Sequence, residues 1–327
     1  MQKINENKIG AGSNPVVVFF KNNMGILIAL LALCAVLSIA TDSFLTANNL
    51  LTVLRQICIN AFLAIGMTFV LIIGGIDLTV GSVVGASGVA VVMLMEGGVE
   101  IAPAIIVALL FGAAIGLING TIIAFTGMPP FIVTLSLMGS LRGLCYLITD
   151  GRSVASKNEL FTVIGNGYLF GIPIPIYILV VTAVVMSILL YKTKFGRRMY
   201  AVGGNESAAR FAGIKIKGLT VRVYMISGIL SALAGIVLAS RMYSGQPTAG
   251  NGYEADAIAA AVLGGTSFNG GIGTIGGTII GALVIGILSN GLNLLHISSY
   301  VQMIIKGLVI ILAVGFDILK NRKMARQ

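Results

Sequence analysis

The chain has 327 residues, 57% of them hydrophobic and only 10% charged, a balance that no soluble domain of this length sustains, so lipid must be its solvent. Lys and Arg number 21 against 11 Asp and Glu, a formal net charge of +10. The basic residues crowd at 192–222 and 320–326, in short polar segments abutting apolar runs. That placement points to cytoplasmic loops and away from nucleic acid.

Residues 1–23 read as a cytoplasmic N-terminal segment. The first apolar run, 24–40, follows Lys3, Lys8 and Lys21, and Ser38-Ile39-Ala40 resembles a signal-peptidase site. At ~1.5 Å per residue the run is long enough to span, and it is expected to remain as an uncleaved first helix. Further spans are expected at 57–73, 80–95, 101–125, 131–149, 174–191, 221–240, 255–263 with its flanks, 276–292 and 300–318, about ten in all by the length a bilayer requires. The eighth is the shortest, because Glu254 and Asp256 precede a brief apolar core that Gly264-Gly265 ends. It reads as a half-helix or re-entrant element, which leaves a count one lower open. The fold class is therefore all-α: a polytopic integral membrane protein with one transmembrane domain over 24–319, a loop at 192–222 and a tail at 320–327. With an even count both termini are cytoplasmic, and the Glu96/Glu100 turn and the 150–173 loop fall outside.

The glycines recur in patterns. Gly112, Gly116 and Gly120 stand four apart, as do Gly81 and Gly85, and Gly277 and Gly281, each a small-residue stripe for close helix packing. Gly271 to Gly276 matches GxGxxG, but no strand precedes it and no βαβ unit surrounds it, so it reads as a packing turn. A fainter echo links Gly74-Gly75, with Asp77, Thr79 and Gly81 after it, to Gly264-Gly265, with Thr266, Gly270 and Gly273 after it. Both lie where one apolar run gives way to another, as internal repeats of transporters do.

Cys34, Cys58 and Cys145 lie in apolar runs without CxxC spacing, and His296 stands alone. Neither a disulfide framework, a metal site nor a His-based triad is expected. No Gly-x4-Gly-Lys-Ser/Thr occurs, so any ATP and Mg must be handled by a partner; this chain is expected to bind no cofactor and to have no catalytic residues. Charges inside the membrane are costly and therefore informative. Asp77 either lines a cavity where the backbone unwinds or caps the following helix. Lys306 is expected to snorkel toward the outer surface and Arg142 to anchor the outer end of its span. For a path that carries hydroxylated solute, the candidates are Gln56, Asn60, Asp77, Thr79, Ser82, Asn290 and Asn293, whose alternative role is hydrogen bonding between helices.

The 192–222 loop differs from the others. Its basic flanks enclose Gly203-Gly204-Asn205-Glu206-Ser207-Ala208-Ala209-Arg210-Phe211-Ala212-Gly213-Ile214, which reads as a short helix capped by Asn205 and ended by Gly213. With Phe211 and Ile214 as apolar contacts, it is a docking element at a cytoplasmic surface.

Together with Gly74 to Ser82 and Gln246-Pro247-Thr248-Ala249-Gly250-Asn251-Gly252-Tyr253-Glu254, this element resembles the permeases of the ribose, galactose and autoinducer-2 ABC importers, those of ribose above all. The likeness runs from about Met24 through most of the chain, including 257–286, 290–295 and 298–314, but not 156–171. It implies a homodimer of permease chains in a bacterial inner membrane, two cytoplasmic ATP-binding subunits, and a periplasmic or extracellular sugar-binding protein that delivers ribose or a related monosaccharide. It also implies that 205–214 is the coupling helix, with Ala209 on the small face seated in a cleft of the ATPase. The rival reading is a self-sufficient transporter, for which Asp77 would hold a coupling ion.

Overall fold

A computed structural model describes residues 23–325, without the side chains of Ala313 and of 316–325. Of the expected N-terminal segment only Asn23 falls within the described residues, so Lys3, Lys8 and Lys21 lie outside them. The described chain is predominantly helical, and each expected span coincides with a helix. These are α1 (Met24–Ala40), α2 (Ala47–Ile72), α3 (Val80–Glu96), α4 (Ile101–Thr126), α5 (Pro130–Thr149), α7 (Ile174–Ser187, extended by a π turn over Ile188–Lys192), α10 (Ile216–Arg241), α11 (Tyr253–Leu263), α12 (Ile275–Leu294) and α13 (Ser299–Ala325). Between them lie α6 (Glu159–Asn166), α8 (Lys194–Gly204), α9 (Glu206–Phe211), and two short antiparallel pairings: β1 (Val154–Ala155) with β4 (Ser244–Gly245), and β2 (Tyr168–Leu169) with β3 (Ile172–Pro173).

Among the described residues six helices are long and apolar enough to cross a membrane: α2, α4, α5, α7 with its π turn, α10 and α12. Helices α1 and α3 and the Ser299–Leu312 part of α13 are shorter apolar helices. At 11 residues, α11 rises about 16 Å, half of a ~30 Å hydrocarbon core. It is a half-helix, entered through the successive turns after β4.

Two boundaries differ most from the sequence reading, with α10 also starting at Ile216 rather than 221. Helix α2 begins at Ala47, because Thr46 caps it by accepting from the Asn49 amide at 3.4 Å, so the polar turns holding Asn48, Asn49, Arg55 and Gln56 are helical too. And α13 continues to Ala325, past the expected end of the last span at 318.

The chain alternates between two ends of the bundle. The proximal end carries α8 and α9 together with the C-terminus of α2 and the N-terminus of α12; the distal end carries α6 and the β pairings. Helix α2 runs through the centre, with every residue from Ile57 to Ile72 buried. Helix α4 lies along α10 through the Gly112, Gly116 and Gly120 stripe, where any added Cβ would strike the backbone of Gly228, Tyr224 or Val221. Such backbone proximity is how membrane helices gain dispersion energy when lipid removes the hydrophobic drive. At the distal end α6, which the sequence reading left unassigned, packs on the end of α10. There Ser240 Oγ accepts from the Gly165 amide at 2.7 Å and donates to the Phe161 carbonyl at 2.6 Å.

Candidate functional site

The proximal docking element is two helices rather than one. Thr193 caps α8 and Asn205 caps α9, its side chain accepting from the Ala208 amide at 2.9 Å. Gly213 closes α9, where the Ile214 amide reaches back to the Ala209 carbonyl at 3.1 Å. Glu206 and Arg210 pair across one turn at 2.8 Å on the exposed side. Ser207 and Ala208 are exposed, and Phe211 is 93% exposed. Ala209 faces the other way: only 4% exposed, it belongs to an apolar cluster with Met199, Val202 and Leu219. The expectation that Ala209 seats in a partner is therefore corrected. Its methyl group is spent on holding α9 to its own chain, and the outward apolar contact is Phe211.

What α8 rests on is a meeting of three backbones. A Cβ on Gly203 would overlap the Ile72 carbonyl at the end of α2 and the Gly271 amide in the loop after α11. Those two groups are themselves hydrogen-bonded, Gly271 N–H to Ile72 O at 2.8 Å. Two tyrosines tie the same loop to the segment before α9: the Tyr200 hydroxyl donates to the Gly273 carbonyl at 2.7 Å, and the Tyr191 hydroxyl accepts from the Ile275 amide at 2.9 Å. Burial pushes the Tyr200 phenol well above its ordinary range, which keeps it a donor at any physiological pH.

The two glycine breaks noted in the sequence end their helices identically. At the first, Gly74 takes a positive φ of 78°, and the amides of Gly74 and Gly75 bond the Leu71 and Val70 carbonyls. At the second, Gly265 takes 86°, and the amides of Gly265 and Thr266 bond the Val262 and Ala261 carbonyls. Each is a Schellman closure, which only a residue without Cβ adopts freely. The equivalent residues are thus Gly74 and Gly265, so the echo is displaced by one residue from the Gly-Gly to Gly-Gly match, and Phe268 stands where Asp77 would fall.

After the first break Asp77 is buried, 1% exposed, and both its oxygens are engaged. Oδ1 accepts from the Thr79 amide at 3.0 Å and from the Thr79 hydroxyl at 2.5 Å, and Oδ2 accepts from Ser227 Oγ of α10 at 2.8 Å. Asn119 of α4 donates to Thr79 Oγ1 at 2.9 Å, and Ser82 Oγ donates to the Thr79 carbonyl at 2.9 Å. Asp77 does not cap α3, whose N-cap position is Thr79; it holds Thr79 and clamps the break to α10. A cleft of about 430 Å³ opens beside it toward the proximal end, walled by Gly74, Gly75, Tyr224, Glu206 and Arg210, without Asp77 itself.

The other path candidates are dispersed. Asn60 is buried in α2 and Gln56 is half-buried one turn before it. Asn290 of α12 exchanges amide hydrogen bonds with Asn49 of α2 at 2.8 and 3.1 Å, and Asn293 is exposed, accepting from Gln302 at 2.8 Å. Two charged residues depart from expectation. Arg142 of α5 turns inward and donates to the Pro247 and Ala249 carbonyls at 2.6 and 2.7 Å, holding the loop before α11. Lys306 does not snorkel but pairs with Asp256 at 2.8 Å. Sequence reasoning weighed each charge against water or lipid and had no means of seeing the partners 50 to 107 residues away. Among the described residues no group of three or more His, Cys, Asp or Glu side chains is placed to hold a metal ion.

Residues 49–314 match the family model described as branched-chain amino acid transport system / permease component. The ribose import permease protein RbsC of Bacillus subtilis (strain 168) is 48% identical over 296 residues, 90% of this chain and 92% of that one. RbsC of Haemophilus influenzae is 48% identical over 294 residues, 89% and 91% of the two chains. The D-allose transport system permease protein AlsC of Escherichia coli (strain K12) is 38% identical over 281 residues, 86% of each. No solved structure matches. A buried helical bundle with candidate membrane spans, matched over most of its length by transport permeases, is a multi-pass membrane protein belonging to the branched-chain amino acid transport system / permease component family.

Proposed function

We propose that this chain is the permease subunit of an ABC importer that carries ribose or a related monosaccharide inward across the bacterial inner membrane, driven by ATP hydrolysis on partner subunits. The observation that carries the reading is the near-half identity to ribose import permeases over nine-tenths of both chains. The proximal end is the cytoplasmic face, on the strength of the basic residues of 192–222 and 320–326. The chain then crosses ten times, the eighth crossing being the loop after β4 together with α11, and both termini are cytoplasmic. A reporter fused after Lys320 that reads as external contradicts this.

In this arrangement Gly203 to Ile214 is the ATPase-coupling element, presenting Phe211, Ser207 and Ala208 to the partner. A second copy of the chain completes a central path. Closure of the ATPases pushes α8 and α9 as a rigid pair, and the Gly203 junction delivers that push to the loop after α11. Asp77 is enclosed and already accepts three hydrogen bonds from Thr79 and Ser227, so a coupling ion would have to displace them, which favours the ATP-driven reading over the self-sufficient one. The test is ATP hydrolysis by the reconstituted assembly. Ribose-loaded binding protein is expected to stimulate it and sugar-free protein to do so less, and Phe211→Asp is expected to abolish co-purification of the ATPase. Unchanged co-purification and stimulation in that variant contradict the assignment of the coupling face.

A further inference from the structure

Between α11 and α13, away from the proximal junction, lies a cleft of about 300 Å³ walled by Asn251, Tyr253, Asp256, Met303, Lys306 and Ile310. None of the path candidates read from the sequence borders it. Its polar wall is the Lys306–Asp256 pair, 2.8 Å apart, with 6% of the Asp256 side chain exposed and 26% of the Lys306 side chain. Lys306 is the eighth residue of α13, about 10 Å along the helix from Ser299. A lysine side chain that keeps a quarter of its surface open at that depth borders a water-filled space rather than hydrocarbon, since lipid contact of its charge costs at least about 2.5 kcal/mol. Ionisable side chains within spans line cavities or pathways for that reason.

The chemistry of the walls selects the occupant. The two charges compensate one another, so the cleft offers no net charge to an ion. Lys306 uses one of its three N–H donors on Asp256, and Asn251 and Tyr253 add an amide and a hydroxyl that both donate and accept. Opposite them, Met303 and Ile310 form an apolar face. Hydroxyl-bearing edges and a C–H face are the complementary surface, and the volume falls at the lower end of the ~300–1,000 Å³ range of small-molecule sites. We infer that this cleft is a station on the solute path, holding a neutral polyhydroxylated molecule of monosaccharide size as it passes α13. The inference rests on the transport reading above.

In a chain whose Cys34, Cys58 and Cys145 are replaced by Ala, Met303→Cys is reconstituted with the ATPase and binding protein and treated with a charged, membrane-impermeant thiol reagent. Labelling is expected, slowed by excess ribose, and uptake is expected to fall at least about ten-fold once the cleft is filled. Met303→Trp, which fills the cleft without a reagent, and Asn251→Ala, which removes one polar contact, are expected to lower uptake with ATPase co-purification unchanged. An introduced thiol that resists the reagent, or full uptake in the labelled protein, overturns the inference and leaves the transport reading standing. Absence of ATP-driven uptake in the unsubstituted chain overturns both.

Discussion

The two helix breaks close with the same backbone motif and are stabilised by opposite means. The first, after α2, is held by side chains: Asp77 gathers Thr79 and Ser227, and Asn119 extends the network to α4. The second, after α11, is held by backbone: its Gly271 amide reaches the Ile72 carbonyl, its Gly273 carbonyl accepts from Tyr200, and the buried Thr266 hydroxyl has no partner. A side-chain network in which three hydrogen bonds converge on one buried carboxylate fixes one geometry and resists displacement. A glycine loop tied to α2 by one backbone bond, and to the segment before α9 by two tyrosine hydroxyls, can slide with the element that grips it. The first break is therefore the fixed point of the bundle, and the second moves with α8 and α9.

The junction shared by both breaks should be the most sensitive position. Gly203→Val places a branched side chain against the Ile72 carbonyl and the Gly271 amide, an overpacking cost of about 3 kcal/mol. Loss of uptake with a clearly lowered melting temperature in detergent is expected, and wild-type melting would show that the three backbones are not in contact. Within the first break, Asp77→Ala strands the Thr79 amide and two hydroxyls, a cost of about 2 kcal/mol. Asp77→Asn keeps an acceptor for Thr79 and should cost about half as much by the same reasoning. If Asn melts normally yet abolishes uptake, the charge itself has a role and the fixed-point description fails. At the second break the sign reverses. Thr266→Val removes a buried hydroxyl that bonds nothing at nearly constant shape, so a gain of up to about 1 kcal/mol is expected, and a loss of stability would show that the hydroxyl is satisfied.

The spans, the half-helix at 253–263 and the capping of 205–214 were legible because hydropathy, Asn and Gly act over a few residues of chain. The family was legible because its motifs are local too. What the sequence reading missed depends on distance in the chain. Ala209 is small whether it faces a partner or its own α8, and only the fold shows that it packs on Met199 and Val202. Lys306 next to lipid and Lys306 paired with Asp256 have the same neighbours in sequence. The start of α2 was missed because Asn48, Asn49 and Arg55 interrupt the apolar run, although Thr46 before Asn49 was a readable cap. The helix α6, led by Asn158 with its side chain accepting from Phe161 N at 3.1 Å, carried the same kind of signal.

In the ATP-driven reading the driving energy enters through the partner ATPases. Labelled ribose uptake into proteoliposomes should be compared for this chain alone, for the chain with its ATPase and binding protein without ATP, and for the complete assembly with ATP. Accumulation only in the complete assembly is the predicted result. Accumulation by the chain alone, driven by an ion gradient, would contradict the account and return Asp77 to the role of a coupling site.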